Sequence, residues 1–167
     1  MKAKRHLLSK KDKKALIKEI AEKYPKLSEL IKEAEIVEKA ETDEGTVIIA
    51  DKTPCLIILE EDITIPTLKI LLKEKYQDLL PKVIVDMGAV PHIANGADVM
   101  APGITQIKGD FEKGDIVVVV DERHGKPLAV CRAWYSSSEI RQMKKGKVLE
   151  NLHYVGDDLW EFFKSLA

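Results

Sequence analysis

Apolar residues recur at three- and four-residue intervals from Ser9 to about Lys23, with Leu16, Ile17, Ile20 and Tyr24 on one side and Lys and Glu between them. That is the spacing of a helix with one buried face. Ser9 is placed to cap its start, the hydroxyl accepting an early backbone N–H, and Pro25 stops it. A further short helix is expected over Leu27 to Ala34. The pattern then changes. Glu35 to Ala40, Thr46 to Ala50 and Cys55 to Leu59 read as strands, with turns at Gly45 and at Asp51-Lys52-Thr53-Pro54. Thr67 to Leu80 returns to helical spacing, bracketed by Pro66 and Pro81. Residues 1–80 therefore predict a small α+β domain.

Residues 81–167 follow a different pattern: short apolar runs broken by Gly, Pro and Asp at close intervals. Val83 to Val85, Ile116 to Val120 and Leu128 to Ala133 are apolar without alternation, as strands buried on both faces are, and Arg123-His124-Gly125-Lys126 supplies a turn before the third. Long crossover helices, which a parallel α/β sheet requires, are missing here. The expectation is a small barrel of five or six strands, and an α+β protein overall.

The chain has 167 residues, of which 45% are hydrophobic, 33% charged and 5% aromatic. The core must therefore be built mostly of Val, Ile, Leu and Ala. A formal net charge of −1 predicts no polyanionic partner by itself, so the distribution of charge matters. Near the start, Lys2, Lys4, Arg5, Lys10, Lys11, Lys13 and Lys14 stand against the single acid Asp12. Two readings stay open: a solvated helix start, or a basic arm in which Lys4, Arg5, Lys10 and Lys11 meet phosphate. Cys55 and Cys131 are far apart and lack the close soft-ligand spacing of a zinc site. Each is expected to be a small buried hydrophobe in a reduced, cytoplasmic setting. No apolar stretch approaches membrane-spanning length. The four histidines, His6, His92, His124 and His153, are scattered, and no phosphate-binding glycine loop or nucleophile elbow is present. No catalytic residue, metal or cofactor is assigned, and the chain is expected not to be an enzyme.

The second half carries a resemblance. Val85 to Ile104, VDMGAVPHIANGADVMAPGI, resembles the opening of a PUA domain, with its D-x-G-A strand end, short helix, G-A-D-V and P-G-I turn. Phe111-Glu112-Lys113-Gly114-Asp115-Ile116-Val117, Pro127-Leu128-Ala129-Val130, Ser137-Ser138-Glu139-Ile140, Lys145-Gly146-Lys147-Val148 and the ending His153 to Trp160 resemble later elements of that family, in order. Cys131 stands where many PUA domains have Gly. With that ending and an N-terminal unit of this size, the whole chain looks most like the archaeal relatives of the eukaryotic T-cell-malignancy oncoprotein, a translation reinitiation and recycling factor. The resemblance implies a pre-PUA-like first domain and a PUA β-barrel. It also implies non-catalytic binding to the small ribosomal subunit or to tRNA.

Candidate contacts follow from chemistry. Asn95, Gly96 and Ala97 present little side chain, so an RNA backbone could approach, with their N–H groups donating to phosphate or 2′-hydroxyl oxygens. The same residues also fit a helix C-cap. Gly96→Glu is accordingly expected to abolish RNA binding with the barrel intact. Val99 is a candidate base contact or barrel packing, and Lys108, Arg141, Lys144, Lys145 and Lys147 are candidate phosphate contacts. Trp160, Phe162 and Phe163 are expected to cover the barrel end. Two functions remain in view. One is a factor that binds the small subunit or tRNA in translation initiation or recycling. The other is an adaptor whose N-terminal domain docks a protein partner while the PUA half presents tRNA or rRNA to a modification enzyme.

Overall fold

In the computed structural model, which describes residues 2–60 and 63–166, Ser9 caps the first helix: its hydroxyl accepts the Asp12 N–H at 3.1 Å. Met1 and Ala167, the outer ends of the two expected domains, lie outside the described residues. The helix α1 runs Lys10–Ile20 and buries Leu16 and Ile20. Pro25 does more than stop α1. It takes the first turn of α2, Pro25–Glu33, where its missing N–H leaves nothing unpaired.

The strands β1 (Lys4–Leu7), β2 (Val37–Thr42), β3 (Gly45–Ala50), β4 (Thr53–Ile58) and β5 (Thr64–Pro66) form one antiparallel sheet in chain order. The turn between β3 and β4 has two residues, Asp51 and Lys52, at φ 45° and 70°, the left-handed pair that matches the twist of a tight hairpin. The Asp51 carboxylate accepts the N–H groups of Ile36 at 2.8 Å and Glu35 at 3.1 Å, fixing the entry to β2.

β1 corrects the sequence reading. Lys4 and Arg5 are not part of a free arm but of an edge strand paired with β2, Lys4 opposite Glu41 and Leu7 opposite Glu38. Arg5 donates to both Glu38 carboxylate oxygens at 3.0 Å, and His6 lies 3.7 Å from Glu41. Acids on β2 give a basic edge strand cross-strand partners. Lys10 and Lys11 lie exposed in the first turn of α1.

The helix expected over Thr67 to Leu80 is also cut short. Thr67 caps α3, Leu68–Leu71, accepting the Ile70 N–H at 3.0 Å. Leu68, Ile70 and Leu71 are all buried, so this turn is enclosed on more than one stripe. Lys73 then turns extended, at φ −80° and ψ 133°, before a separate 3-10 turn at Glu74–Tyr76.

From Lys82 onward a six-stranded sheet curls on itself. Its strands are β6 (Lys82–Val85), β7 (Val99–Met100), β8 (Ile104–Lys108), β9 (Ile116–Asp121), β10 (Pro127–Ala133) and β11 (Lys147–Tyr154), in the order β7-β11-β10-β9-β6-β8. β6 pairs antiparallel with β8 and parallel with β9. Every residue of β9 is buried, as its unbroken apolar run requires. Val83, Val85, Val117, Val119, Cys131 and Val148 belong to the core, with the Phe111 ring buried among them. Short helices α4 (Val90–Ile93) and α5 (Ser137–Ile140) lie between strands, and α6 (Asp158–Ser165) follows β11. Ser136 and Glu139 form a reciprocal capping box on α5.

The chain divides into two compact units, Met1–Leu79 with Glu161–Ala167, and Leu80–Trp160. Phe162 and Phe163 thus belong to the first unit, whereas the sequence reading gave them to the barrel. Among the described residues no helix is long and apolar enough to cross a membrane.

Both cysteines are fully buried. Burial pushes the Cys55 thiol up to about 12. It pushes Cys131 up as well, with the charges of Asp98 and Glu150 acting in the same direction. Thiolate is the reactive form, so the folded protein is expected to resist iodoacetamide at pH 8 and to take up two alkyl groups once denatured. Rapid alkylation of the native protein, read by mass spectrometry, would contradict the burial.

Candidate nucleic-acid interface

The site is built around one turn of helix. Asp86 starts it, its carboxylate accepting the Ala89 N–H at 2.8 Å. The turn that closes α4 contains Gly96, whose φ is +91°. Gly96 N–H donates to Ile93 O at 3.0 Å and Ala97 N–H to His92 O at 3.0 Å. This is the paired closure that needs a left-handed residue and so favours glycine. Asn95 N–H also goes to His92 O, at 3.1 Å. The expectation that these three N–H groups serve RNA is therefore corrected, because each already closes the helix end. The close approach at Gly96 comes from Tyr154 of β11: a Cβ there would lie 3.0 Å from one ring carbon and 3.1 Å from the hydroxyl oxygen.

Asn151, also on β11, holds the turn from the other side. Its side-chain amide donates to Ile93 O at 3.2 Å and Ala97 O at 3.1 Å, and its backbone N–H donates to Asp98 Oδ1 at 2.9 Å. The Asp98 carboxylate is thus engaged by a residue 53 positions along the chain. Neither Asn151 nor Tyr154 is recognisable as part of this site from sequence, since both lie more than fifty residues from α4 and carry no motif that links them to it.

A cavity of about 650 Å³ opens beside this turn. Its lining includes Ala89, His92, Gly96 and Ala97 from α4 and the turn after it, Met100 and Lys147 from the paired strands β7 and β11, and the carboxylates Asp86 and Asp98. Lys147 lies directly across the strand pair from Met100. Met100 is 45% exposed, one of few large apolar side chains so open. Both carboxylates of the cavity are turned to backbone N–H groups, while the Lys147 ammonium has no ion-pair partner among the described residues. An apolar wall beside an unpaired cation suits a ligand with a flat face and a negative charge, as a nucleotide has.

Of the expected contacts, the structure gathers Gly96, Ala97, Val99 and Lys147 at the cavity. Val99 is 1% exposed and packs in the core, so it offers no surface for a base. Asn95 is exposed next to the cavity without lining it. Lys144 and Lys145 are exposed in the turn that leads to β11. Lys108 and Arg141 lie elsewhere: Lys108 ends β8 opposite Lys82, and Arg141 sits 3.4 Å from Asp110. Among the described residues no group of three or more His, Cys, Asp or Glu is placed to hold a metal ion.

Comparison with known proteins agrees with this architecture. Residues 81–155 match the PUA domain, and residues 4–74 match a domain of unknown function, DUF1947. An uncharacterised protein of Methanocaldococcus jannaschii is 44% identical over 159 residues, covering 95% of this chain and 96% of its own. Translation machinery-associated protein 20 of Saccharomyces cerevisiae is 31% identical over 153 residues, covering 86% and 83%. The crystal structure of a hypothetical protein from Pyrococcus horikoshii superposes with a TM-score of 0.81 at 34% identity, covering 96% of this chain and 99% of that one.

Proposed function

We propose that this chain, which belongs to the PUA-domain family that includes translation machinery-associated protein 20 and the malignant T-cell-amplified sequence proteins, binds structured RNA of the translation machinery and catalyses no reaction on it. The partner is the small ribosomal subunit, tRNA, or tRNA placed on that subunit. The observation that carries this reading is the cavity beside the Gly96 turn. It is lined by Lys147, whose ammonium has no ion-pair partner among the described residues, and by the exposed Met100, and both of its carboxylates are already engaged. Phosphate positions an RNA, while apolar and stacking contacts hold its bases, and the cavity offers one of each.

Ala97→Glu tests this cleanly. Ala97 is exposed and lines the cavity, so the change adds bulk and negative charge without disturbing the core. The expected outcome is a loss of at least about tenfold in affinity for small ribosomal subunits or unfractionated tRNA, in line with removal of roughly one good polar contact and introduction of repulsion. Unchanged binding by Ala97→Glu would remove the cavity from the interface. Wild-type protein that binds neither RNA would sink the translation reading and leave a protein-partnered adaptor.

A further inference from the structure

The turn between β9 and β10 carries three basic side chains that the cavity reading does not use. Arg123, His124 and Lys126 are all exposed, and none has an ion-pair partner among the described residues. Arg123 is distinctive in this. Of the four arginines, Arg5 is bound to Glu38 at 3.0 Å, Arg132 to Glu150 at 2.6 Å and Arg141 to Asp110 at 3.4 Å. The one acid at the centre of the turn, Asp121, is occupied in another way. It is 5% exposed and accepts the backbone N–H groups of Arg123, His124 and Lys126. The turn is thus held by its backbone, which leaves Arg123 and Lys126 exposed to solvent.

This turn lies at the cavity end of the barrel. β9 runs parallel to β6, with Asp121 beside Val85, and neighbouring strands are about 5 Å apart. Glu122 N–H donates to Val85 O at 2.9 Å, and its carboxylate accepts the N–H of Met87 at 3.3 Å, one residue past the cavity-lining Asp86. The acids between cavity and turn, Asp86 and Glu122, both accept backbone N–H bonds. Cations therefore face outward along this edge while its acids face the main chain. A guanidinium offers paired donors in a fork that matches a phosphate.

We propose that Arg123 and Lys126 form a second phosphate-binding point, so that an RNA strand seated at the cavity continues over the β6–α4 loop onto this turn. The contact is to the sugar-phosphate backbone and adds affinity without base preference. The inference rests on the RNA-binding reading above.

The test compares the full-length protein with Arg123→Gln/Lys126→Gln, with Ala97→Glu and with Lys113→Gln. Each is titrated with unfractionated tRNA and with purified small ribosomal subunits over a range of salt concentrations. Lys113 is an exposed cation just before β9, at the end of that strand opposite the turn, and serves as the control for charge alone. Circular dichroism confirms that each variant is folded; the turn's hydrogen bonds are made by main chain and survive the double change. Each lost single-strand phosphate contact lowers the slope of log affinity against log salt by about 0.7. The double variant should therefore lose about 1.4 in slope and bind roughly five- to twentyfold more weakly at low salt, while Lys113→Gln behaves as wild type. Wild-type slope in the double variant alongside lost binding in Ala97→Glu overturns the second contact and keeps the cavity. An equal effect from Lys113→Gln reduces the turn to general charge and overturns it too. A wild type that binds neither RNA overturns both readings.

Discussion

Asp121→Ala is expected to cost about 2–3 kcal/mol of folding stability, the range for buried donors left without an acceptor. One carboxylate accepts three main-chain N–H groups, those of Arg123, His124 and Lys126, and so closes the β9–β10 connection. Removing it leaves all three unpaired beneath a turn whose outer residues are open to water. Water can replace part of the loss, which is why the expected cost stays below three full penalties. The backbone N–H of His124 is the largest cause holding this carboxyl below its ordinary value, with burial opposing. Folding thus favours the ionised form. The stabilisation is complete above the ordinary carboxylate range and is lost as acid carries the pH down through the lowered value. Wild type should lose stability on acidification below about pH 4 by more than Asp121→Ala does, a difference set by this one group. Denaturant melts of both proteins at neutral and acid pH check it, and equal acid sensitivity would mean that Asp121 is not the group responsible.

The second large effect is at Gly96. Gly96→Ala should destabilise by about 2–3 kcal/mol, combining left-handed backbone strain of about 1–2 kcal/mol with displacement of a packed ring. The Tyr154 ring occupies the space a Cβ would need, at 3.0 Å. In a Tyr154→Ala background the crowding is gone, so the same substitution should cost only the strain, and the cycle should show coupling of about 1 kcal/mol. Full additivity would show that Tyr154 does not set the requirement. The same geometry changes what Gly96→Glu reports. From sequence it looks like a pure test of RNA approach, but a side chain there also disturbs β11 packing. Ala97, one residue on and exposed, separates binding from folding.

How legible all this was in the sequence varied with the physical signal. The cap at Ser9, the tight turn at Asp51-Lys52 and the buried run of β9 could be read because each depends on residues close together in the chain. The PUA barrel was legible because its motifs recur in order over half the chain, and the family comparison agrees. β1 was not legible: Lys-Arg-His-Leu has no alternation, and what makes it a strand is its pairing with Glu38 and Glu41, more than thirty residues away. α3 was overread because a leucine-rich stretch looks like a helical stripe even where burial surrounds it. At the site, the turn at Asn95-Gly96-Ala97 could be placed from its residues, but the donors assigned to it are used in closing α4. Asn151 and Tyr154 were missed because they act across space, and Arg123 was read only as part of a turn because its lack of an ion-pair partner appears only once every other arginine has been placed.

The grouping of Glu161–Ala167 with the first unit also bears on how the protein is made. Synthesis delivers the N-terminal sheet first, and its five strands pair in chain order through short connections, an arrangement that favours early and local assembly. Yet Phe162 and Phe163, buried at 9% and 1%, belong to that same unit and are made only after the whole of the curled sheet. Until they arrive, the nascent first unit is missing two aromatic side chains of its core. The unit that is begun first is therefore completed only after the second has been made, and a chain stalled before Glu161 would hold all strands of the curled sheet while the meander still lacked these two rings.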